Sequence, residues 1–329
     1  MTRRLRIGIL GTAKIAGMFM IGAKQSSRVE VTAVGSRDRA RAQGFADVHA
    51  IARAYTYDEL LADREVDAIY IPLPNSLHAE WSIAAARAGK HVLCEKPLAT
   101  SETEAEAMFA AAEASGVMLV EAFPYMFQPQ TLELERLIST GAIGEVRLMF
   151  ATFGFTIADP SNIRLDAALG GGALMDAGCY PVSFVRQVFG RRPSRVTAVA
   201  RYAHGVDQTL AATLELADGS IAQISCSFAT AVHRHAIIHG SAGVIETDFA
   251  NHTNRSATPG FRIKRGIDWQ APFELVPVPS EDGFRVEADA FADLIEREDR
   301  VQLEARRSAS LDNAWTLAAI LDSARTNRR

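Results

Sequence analysis

Ile7-Gly8-Ile9-Leu10-Gly11-Thr12-Ala13-Lys14-Ile15-Ala16 decides the reading of the fold. An apolar, β-branched run ends at a glycine, and a helical pattern starts at Lys14. Read as G-x-G-x-x-A, the motif is Gly11, Ala13 and Ala16. Gly11 permits the tight turn, Ala13 stands where backbone approaches a pyrophosphate, and Ala16 lets helix and strand pack closely. Amides of the turn and helix start, from Gly11 and Thr12 through Ala13, Lys14 and Ile15, would hold the phosphates. Ala13 in place of the second glycine departs from the pattern by one methyl. Taken alone, the motif also fits a glycine turn in a βαβ unit that binds something else.

Working outward, residues 5–121 alternate apolar strands with helical segments. The candidate strands are Leu5–Leu10, Val29–Val34, Ala68–Ile71, His91–Cys94 and Met118–Glu121. Helical patterns run Lys14–Gln25, Asp38–Val48, Ser76–Ala88 and Glu102–Ser115. The strands are apolar on both sides, as parallel strands covered on two faces must be. This predicts an α/β, doubly wound parallel sheet of Rossmann type over residues 1–121. Residues 122–329 read differently. Helices are expected at Pro129–Ser139, from Gly172 to Val188, and at Arg285–Arg297 and Ala305–Arg325. Strand-like segments fall at Glu145–Phe155, Arg195–Tyr202, Thr209–Leu216, Ile221–Phe228, Ala236–Gly240 and Val244–Asp248. Ala217-Asp218-Gly219-Ser220 is a hairpin signal. The second half is therefore expected to be an α+β domain with a large, mostly antiparallel open sheet, whose last helix has room to pack back on the first domain. Asn251–Ser256 and Pro272–Gly283 read as surface loops.

Composition agrees with two folded domains. The chain has 329 residues, 48% hydrophobic and 22% charged, with 35 Lys+Arg against 39 Asp+Glu. That near-neutral balance gives no basis for a nucleic-acid partner and no polybasic reason to sit on a membrane. No apolar run reaches the roughly 18 residues that span a bilayer. Cys94, Cys179 and Cys226 form no Cys-x-x-Cys pair, which fits a reducing, cytoplasmic compartment. Arg3, Arg4 and Arg6 before an apolar stretch mimic a signal peptide, but Lys14 interrupts that stretch and its removal would destroy the first βαβ unit.

The second strand ends Val34-Gly35-Ser36-Arg37-Asp38. An acid for the ribose 2′-hydroxyl is expected about 20 residues past the fingerprint. Ser36 stands there instead, followed by Arg37. A hydroxyl and a guanidinium suit a 2′-phosphate, so NADP(H) is favoured, with NAD(H) possible if Asp38 takes the ribose and Arg37 is merely solvated.

His91-Val92-Leu93-Cys94-Glu95-Lys96-Pro97-Leu98 puts Glu-Lys-Pro at the carboxyl end of a buried strand, the edge where doubly wound sheets bind ligands. A lysine entering a pocket there is costly without an anion or hydroxyl to serve. About one X–Pro bond in twenty is cis, which leaves the Lys96–Pro97 geometry open.

The fingerprint, Tyr70-Ile71-Pro72-Leu73-Pro74-Asn75-Ser76-Leu77-His78, Cys94-Glu95-Lys96-Pro97-Leu98, Glu121-Ala122-Phe123 and Gly170-Gly171-Gly172-Ala173-Leu174-Met175-Asp176-Ala177-Gly178-Cys179-Tyr180 occur in that order. Together they resemble the glucose–fructose oxidoreductase / inositol dehydrogenase / rhizopine catabolism (Gfo/Idh/MocA) family over nearly the whole chain. The tyrosine form of the last motif is similar to its dimeric dihydrodiol dehydrogenase, NADP-dependent D-xylose dehydrogenase and sugar ketoreductase branch. The resemblance implies an oxidoreductase acting on a small carbohydrate-like substrate, and a homodimer or homotetramer formed through the C-terminal sheet. It implies that Lys96 contacts substrate and nicotinamide ribose, that Tyr180 is the acid/base and that Asp176 lines the substrate site. Pro72, Leu73, Asn75, His78 and Glu95 would line the cofactor cleft. Met126 and Gln128 stand where the family commonly has Arg and His, which puts transfer of substrate identity in doubt.

If the chain is helical after Gly172, Asp176 and Tyr180 are i, i+4 and share a face. A phenol starts as the acid at neutral pH, and a nearby ammonium favours its phenolate; Lys96 is the candidate. Tyr180 would take the hydroxyl proton in oxidation and return it in reduction. The plainer reading makes Tyr180 a core tyrosine and Asp176 a surface acid. Arg164 is a candidate for substrate or phosphate, and Phe123 for stacking on a sugar, although Phe123, Tyr125 and Phe127 also read as packing. One strand face could carry His233, His235 and His239; metal ligation would need such a cluster plus an acid, a polar sheet face or interface is the plainer reading, and no metal is assigned. A non-catalytic dinucleotide-binding regulator on the same fold is the competing class, and it would be expected to lose Lys96 or Tyr180. An enzyme that retains its cofactor without net exchange is the third.

Overall fold

The computed structural model describes residues 3–249 and 260–327. Its first sheet has six parallel strands: β1 (Leu5–Leu10), β2 (Val29–Gly35), β3 (Arg53–Tyr55), β4 (Ala68–Ile71), β5 (His91–Glu95) and β6 (Leu119–Ala122). Their order is β3-β2-β1-β4-β5-β6, so the winding reverses between β1 and β4. Helices α1 (Lys14–Ala23), α2 (Arg39–His49), α3 (Tyr57–Ala62), α4 (His78–Arg87) and α5 (Glu102–Ala114) cover it. The strands read as continuous apolar runs because alternate residues enter two cores. Ile7, Ile9 and Tyr70 pack with Phe19 and Ala42 on one side. Leu10, Ile69 and Ile71 pack with Leu60, Ala85 and Met108 on the other. β3 and α3 escape the sequence reading, since elements of three and six residues are too short to show a periodicity.

The second domain holds α6 (Pro129–Ser139), β7 (Val146–Thr156) and α7 (Cys179–Phe189). There follow β8 (Arg195–Ala203), β9 (Val206–Glu215), β10 (Ile221–Ser227), β11 (Ala229–Gly240), β12 (Gly243–Thr247), β13 (Gly260–Arg265) and β14 (Glu274–Pro277). The eight strands run β14-β13-β12-β11-β7-β10-β9-β8, parallel only between β7 and β10. One face buries Met149, Ala151, Leu210, Ile224 and Ile238 beneath the helices; the other leaves Phe150, Val199 and Ile221 exposed. Two corrections apply here. Edge strand β14 lies inside the stretch expected to be a loop, and β13 was not anticipated. The Asn251–Ser256 reading lies outside the described residues.

Both closing helices, α8 (Gly283–Arg297) and α9 (Arg300–Thr326), return to the first domain. Asp282 caps α8 by accepting from the Phe284 and Arg285 amides. Phe284, Ala288, Phe291 and Leu294 then complete the core around Phe19. Ser26 bonds to Asp289, and Arg28 pairs with Asp293 and Glu296. The expected return of the last helix alone is thus too narrow, because α8 contributes more to that core. α9 bridges instead: Ala314 joins the first domain's core, while Leu317 and Ile320 join the second's. Among the described residues no helix is long and apolar enough to cross a membrane.

Phe284 is 1% exposed and meets Phe19 edge-on at 6.2 Å. Phe284→Ala is expected to cost about 3–5 kcal/mol in urea unfolding. A cost below about 1 kcal/mol would show that α8 does not close this core.

Candidate active site

The fingerprint turn forms at the carboxyl end of β1, beside the reversal in strand order, where such sheets take ligands. Gly11 has φ +128°, and a Cβ there would lie 2.9 Å from a Leu73 methyl, so only glycine fits. Ala13 is the N-cap of α1; among the described residues no side chain caps it, and the first turn carries no acid. The opening amides are left to an anion.

A groove of about 500 Å³ runs from this turn to the end of β2. Gly11, Thr12, Ala13, Ser36, Arg37, Pro72 and Leu73 line it. Asp38 lines it too, but its carboxylate accepts from the Ala40 amide at 2.9 Å and so caps α2. Arg41 also lines the groove and was missed. The signal was available, since Arg37 and Arg41 are four residues apart at a helix start.

The groove continues into a cleft of about 470 Å³ between the domains. Lys14, Ile15, Asn75, Glu95, Lys96, Arg164, Asp176 and Tyr180 line it. Two expected cleft residues are absent from that wall. His78 is fully buried, its ring nitrogens against the Pro97 carbonyl at 2.8 Å and the Leu73 carbonyl at 2.9 Å. It ties two cleft loops together from behind. Phe123 is 1% exposed and lies edge-on to the Tyr180 ring at 5.4 Å. It backs the tyrosine and cannot stack on a substrate in the cleft.

Lys96 follows the last residue of β5 and precedes a cis Lys96–Pro97 peptide. Its ammonium donates to the Asp176 carbonyl at 3.0 Å and carboxylate at 3.1 Å. It also lies 4.9 Å from the centre of the Tyr180 ring. The other Asp176 oxygen takes Arg164 Nε at 2.7 Å. Burial would push the Asp176 carboxyl up, but Lys96 and Arg164 outweigh it and hold it below its usual range. Burial pulls Lys96 down, and Asp176 and Tyr180 more than reverse this, raising it. The pair is ionised across neutral pH. The expected regular helix is corrected: Leu174–Gly178 is a π-helical turn, and α7 starts at Cys179. The Asp207 carboxylate holds this turn by accepting from the Leu174 amide at 2.7 Å.

Glu95 is buried, accepting from Tyr70 Oη at 2.5 Å, and burial raises its pKa despite Lys96. Asn75 donates to the Gly170 carbonyl at 2.8 Å, tying the first domain to the glycine run. Phe153 and Phe155 on β7 and Ile163 complete the apolar wall, and none was anticipated. Their signal was only strand alternation, which says which face they share but not what faces them. Elsewhere, His233 bonds to Thr152 and His235 to Asp248. Among the described residues no three His, Cys, Asp or Glu groups gather as a metal site.

A family model described as an oxidoreductase family with an NAD-binding Rossmann fold (GFO_IDH_MocA) matches residues 5–123. The GFO/IDH/MocA C-terminal domain matches 131–246. The D-xylose 1-dehydrogenase (NADP(+)) 2 of Haloferax volcanii is 38% identical over 326 residues, 98% of each chain. The trans-1,2-dihydrobenzene-1,2-diol dehydrogenase of Danio rerio is 33% identical over 330 residues, 98% of this chain and 96% of its own length. A 3-ketoreductase from Actinomadura kijaniata, solved with NADP and TDP-benzene, superposes with TM-score 0.88 at 32% identity over 98% of both chains.

Beneath the cleft, Glu121 accepts from the Leu98 amide at 2.8 Å and Ser310 Oγ at 2.7 Å, yet burial raises it to about 7. An acid whose folded pKa lies above its unfolded value stabilises below the unfolded one and loses that contribution as pH rises through the folded one. Stability should therefore fall between roughly pH 4.5 and 7. In Glu121→Gln that slope, followed by melting temperature against pH, should flatten; an unchanged slope would clear Glu121.

Proposed function

The chain belongs to the Gfo/Idh/MocA family of NAD(P)-dependent oxidoreductases, and from that premise we propose that it transfers hydride between NADP(H) and a carbinol or carbonyl carbon of a sugar, a sugar derivative or a cyclic diol, with Tyr180 as acid/base and Lys96 assisting. The convergence of Lys96, Asp176 and Tyr180 on one interdomain cleft carries this reading.

The chain fits a dinucleotide along its length. The bare start of α1 suits the pyrophosphate, and Ser36, Arg37 and Arg41 suit a 2′-phosphate. Asp38 already caps α2 through one oxygen, which weakens the alternative NAD(H) reading. The NADP named for the xylose dehydrogenase and the ketoreductase supports the same choice. When bound, the nicotinamide supplies or accepts the hydride.

The protein's own task is placement and proton movement. An ammonium has three hydrogens, and Asp176 takes two from Lys96. The third is left for the reacting oxygen. Lys96 beside the Tyr180 ring stabilises negative charge that forms as the phenolic proton leaves. Asp176 fixes Lys96 and Arg164 at once, so the substrate's hydroxyls meet an ordered pair of cations. Phe153 and Phe155 exclude water from one side. The uncovered face of the second sheet, with Phe150, Val199 and Ile221, supports pairing of subunits into a dimer or tetramer.

Tyr180→Phe should keep NADPH binding and lower kcat by roughly 10²–10⁴ in a screen of aldoses, ketosugars, inositols and dihydrodiols. Equal turnover in variant and wild type removes Tyr180 from the chemistry. No turnover in either would favour a dinucleotide-binding regulator. Separately, Arg37→Ala and Arg41→Ala should each weaken NADPH by about tenfold or more and leave NADH nearly unchanged. Tighter binding of NADH than NADPH by the wild type would reverse the cofactor choice.

A further inference from the structure

A second cavity, of about 340 Å³, lies behind Phe123 and shares no lining residue with the catalytic cleft. From α9 it takes Gln302, Ala305, Arg306, Ala309, Ser310 and Asn313. These recur every three or four residues, so they form one helix face. Ala305, Ala309 and Ser310 are short, which leaves the space open. Glu121 and Phe123 follow from β6, Glu135 from α6 and Gln187 from α7.

The polar groups in this wall are underused. Asn313 is 3% exposed, and among the described residues neither atom of its amide has a partner at hydrogen-bond geometry, although the amide lies near enough to Glu121 to favour its charged form. The Gln187 carbonyl oxygen and Arg306 Nε are buried and, among the described residues, unpartnered as well. Native proteins rarely leave such groups unpaired, so several around one cavity call for a hydrogen-bonding occupant.

The donor and acceptor pattern selects its chemistry. Arg306 Nε and the Asn313 amide nitrogen offer donors, while Asn313 Oδ1 and Gln187 Oε1 offer acceptors. Arg186 is spent on Asp312 at 2.5 Å. An anion would face Glu135 and two carbonyl oxygens, and a cation would face Arg306. A neutral molecule with several hydroxyls meets both sets, because each hydroxyl donates and accepts. Phe123, Met126 and Leu132 give apolar walls for its carbon skeleton. We propose that this cavity is a second, non-catalytic site for a neutral polyol or monosaccharide. Its position makes it a regulatory one. Glu121 holds the Leu98 amide two residues beyond Lys96, and Phe123 supports the Tyr180 ring. An occupant therefore bears on both residues without entering the cleft.

The test uses the full-length protein saturated with NADPH, with D-xylose and glycerol as probes. Crystals soaked in each should show the probe against Asn313 and Arg306, and calorimetry should give a binding event separate from the cleft's. Ala309→Leu fills the cavity, and Asn313→Leu removes the amide at similar size. Each should weaken that event at least tenfold and leave NADPH binding unchanged. Asn313→Leu should melt no lower than the wild type, since two unpaired polar atoms are gone. Ordered water alone in every soak, or an isotherm untouched by both variants, overturns the proposal. Either result is independent of whether a catalytic substrate has been found.

Discussion

A buried ammonium has to be paired, and the Lys96–Asp176 pair meets that need across the domain boundary. The lysine comes from the end of a parallel strand and the acid from a π-helical turn eighty residues later in the chain. Removing Asp176 would strand the ammonium, which is far costlier than the net worth of such a pair. Much of the local structure follows from it. Arg164 shares the same carboxylate, and Gly171 lies so close that a Cβ would come within 2.5 Å of the Arg164 carbonyl. The glycine run is needed because the chain passes where no side chain fits.

This pairing also explains why the domains cannot be treated as a binding module with an appendage. The first domain supplies the groove, but its core is closed by α8, and α9 crosses to the second sheet. The Ala198 amide donates to Ser323 Oγ at 2.9 Å, while Ser310 on the same helix bonds to Glu121. One rigid helix thus touches both walls of the cleft's support.

The strands of the first domain were legible because burial on both faces forces unbroken apolar runs, and the fingerprint because a turn at positive φ beside backbone leaves glycine alone. The placement of α8 was not legible. Its amphipathic pattern says that one face is buried, not against which core. Phe123 and His78 were misread for a related reason: neighbouring a motif in sequence does not tell which way a side chain points. The π turn at Leu174–Gly178 was also out of reach, since Gly172-Ala173-Leu174-Met175-Asp176 reads equally well as an ordinary helix. Arg41 was legible by its spacing of four from Arg37.

The buried carboxyl groups around Lys96 form a graded series. Asp176, in contact with it, is held below its usual range. Glu95, its chain neighbour, rises despite it. Glu121 rises to about 7, with Lys96 the weakest of the influences opposing burial. Glu287, fully buried and without any such influence from the lysine, rises well above the ordinary value. Lys96 and Arg164 together sustain one carboxylate, and burial raises the others. Arg164 then adds a second positive charge to a cleft whose negative charge is concentrated on Asp176. Two cations thus flank one carboxylate in the cleft, in a chain whose net charge is only −4. The electrostatics that matter here are those of a few desolvated groups, so total charge carries no trace of them.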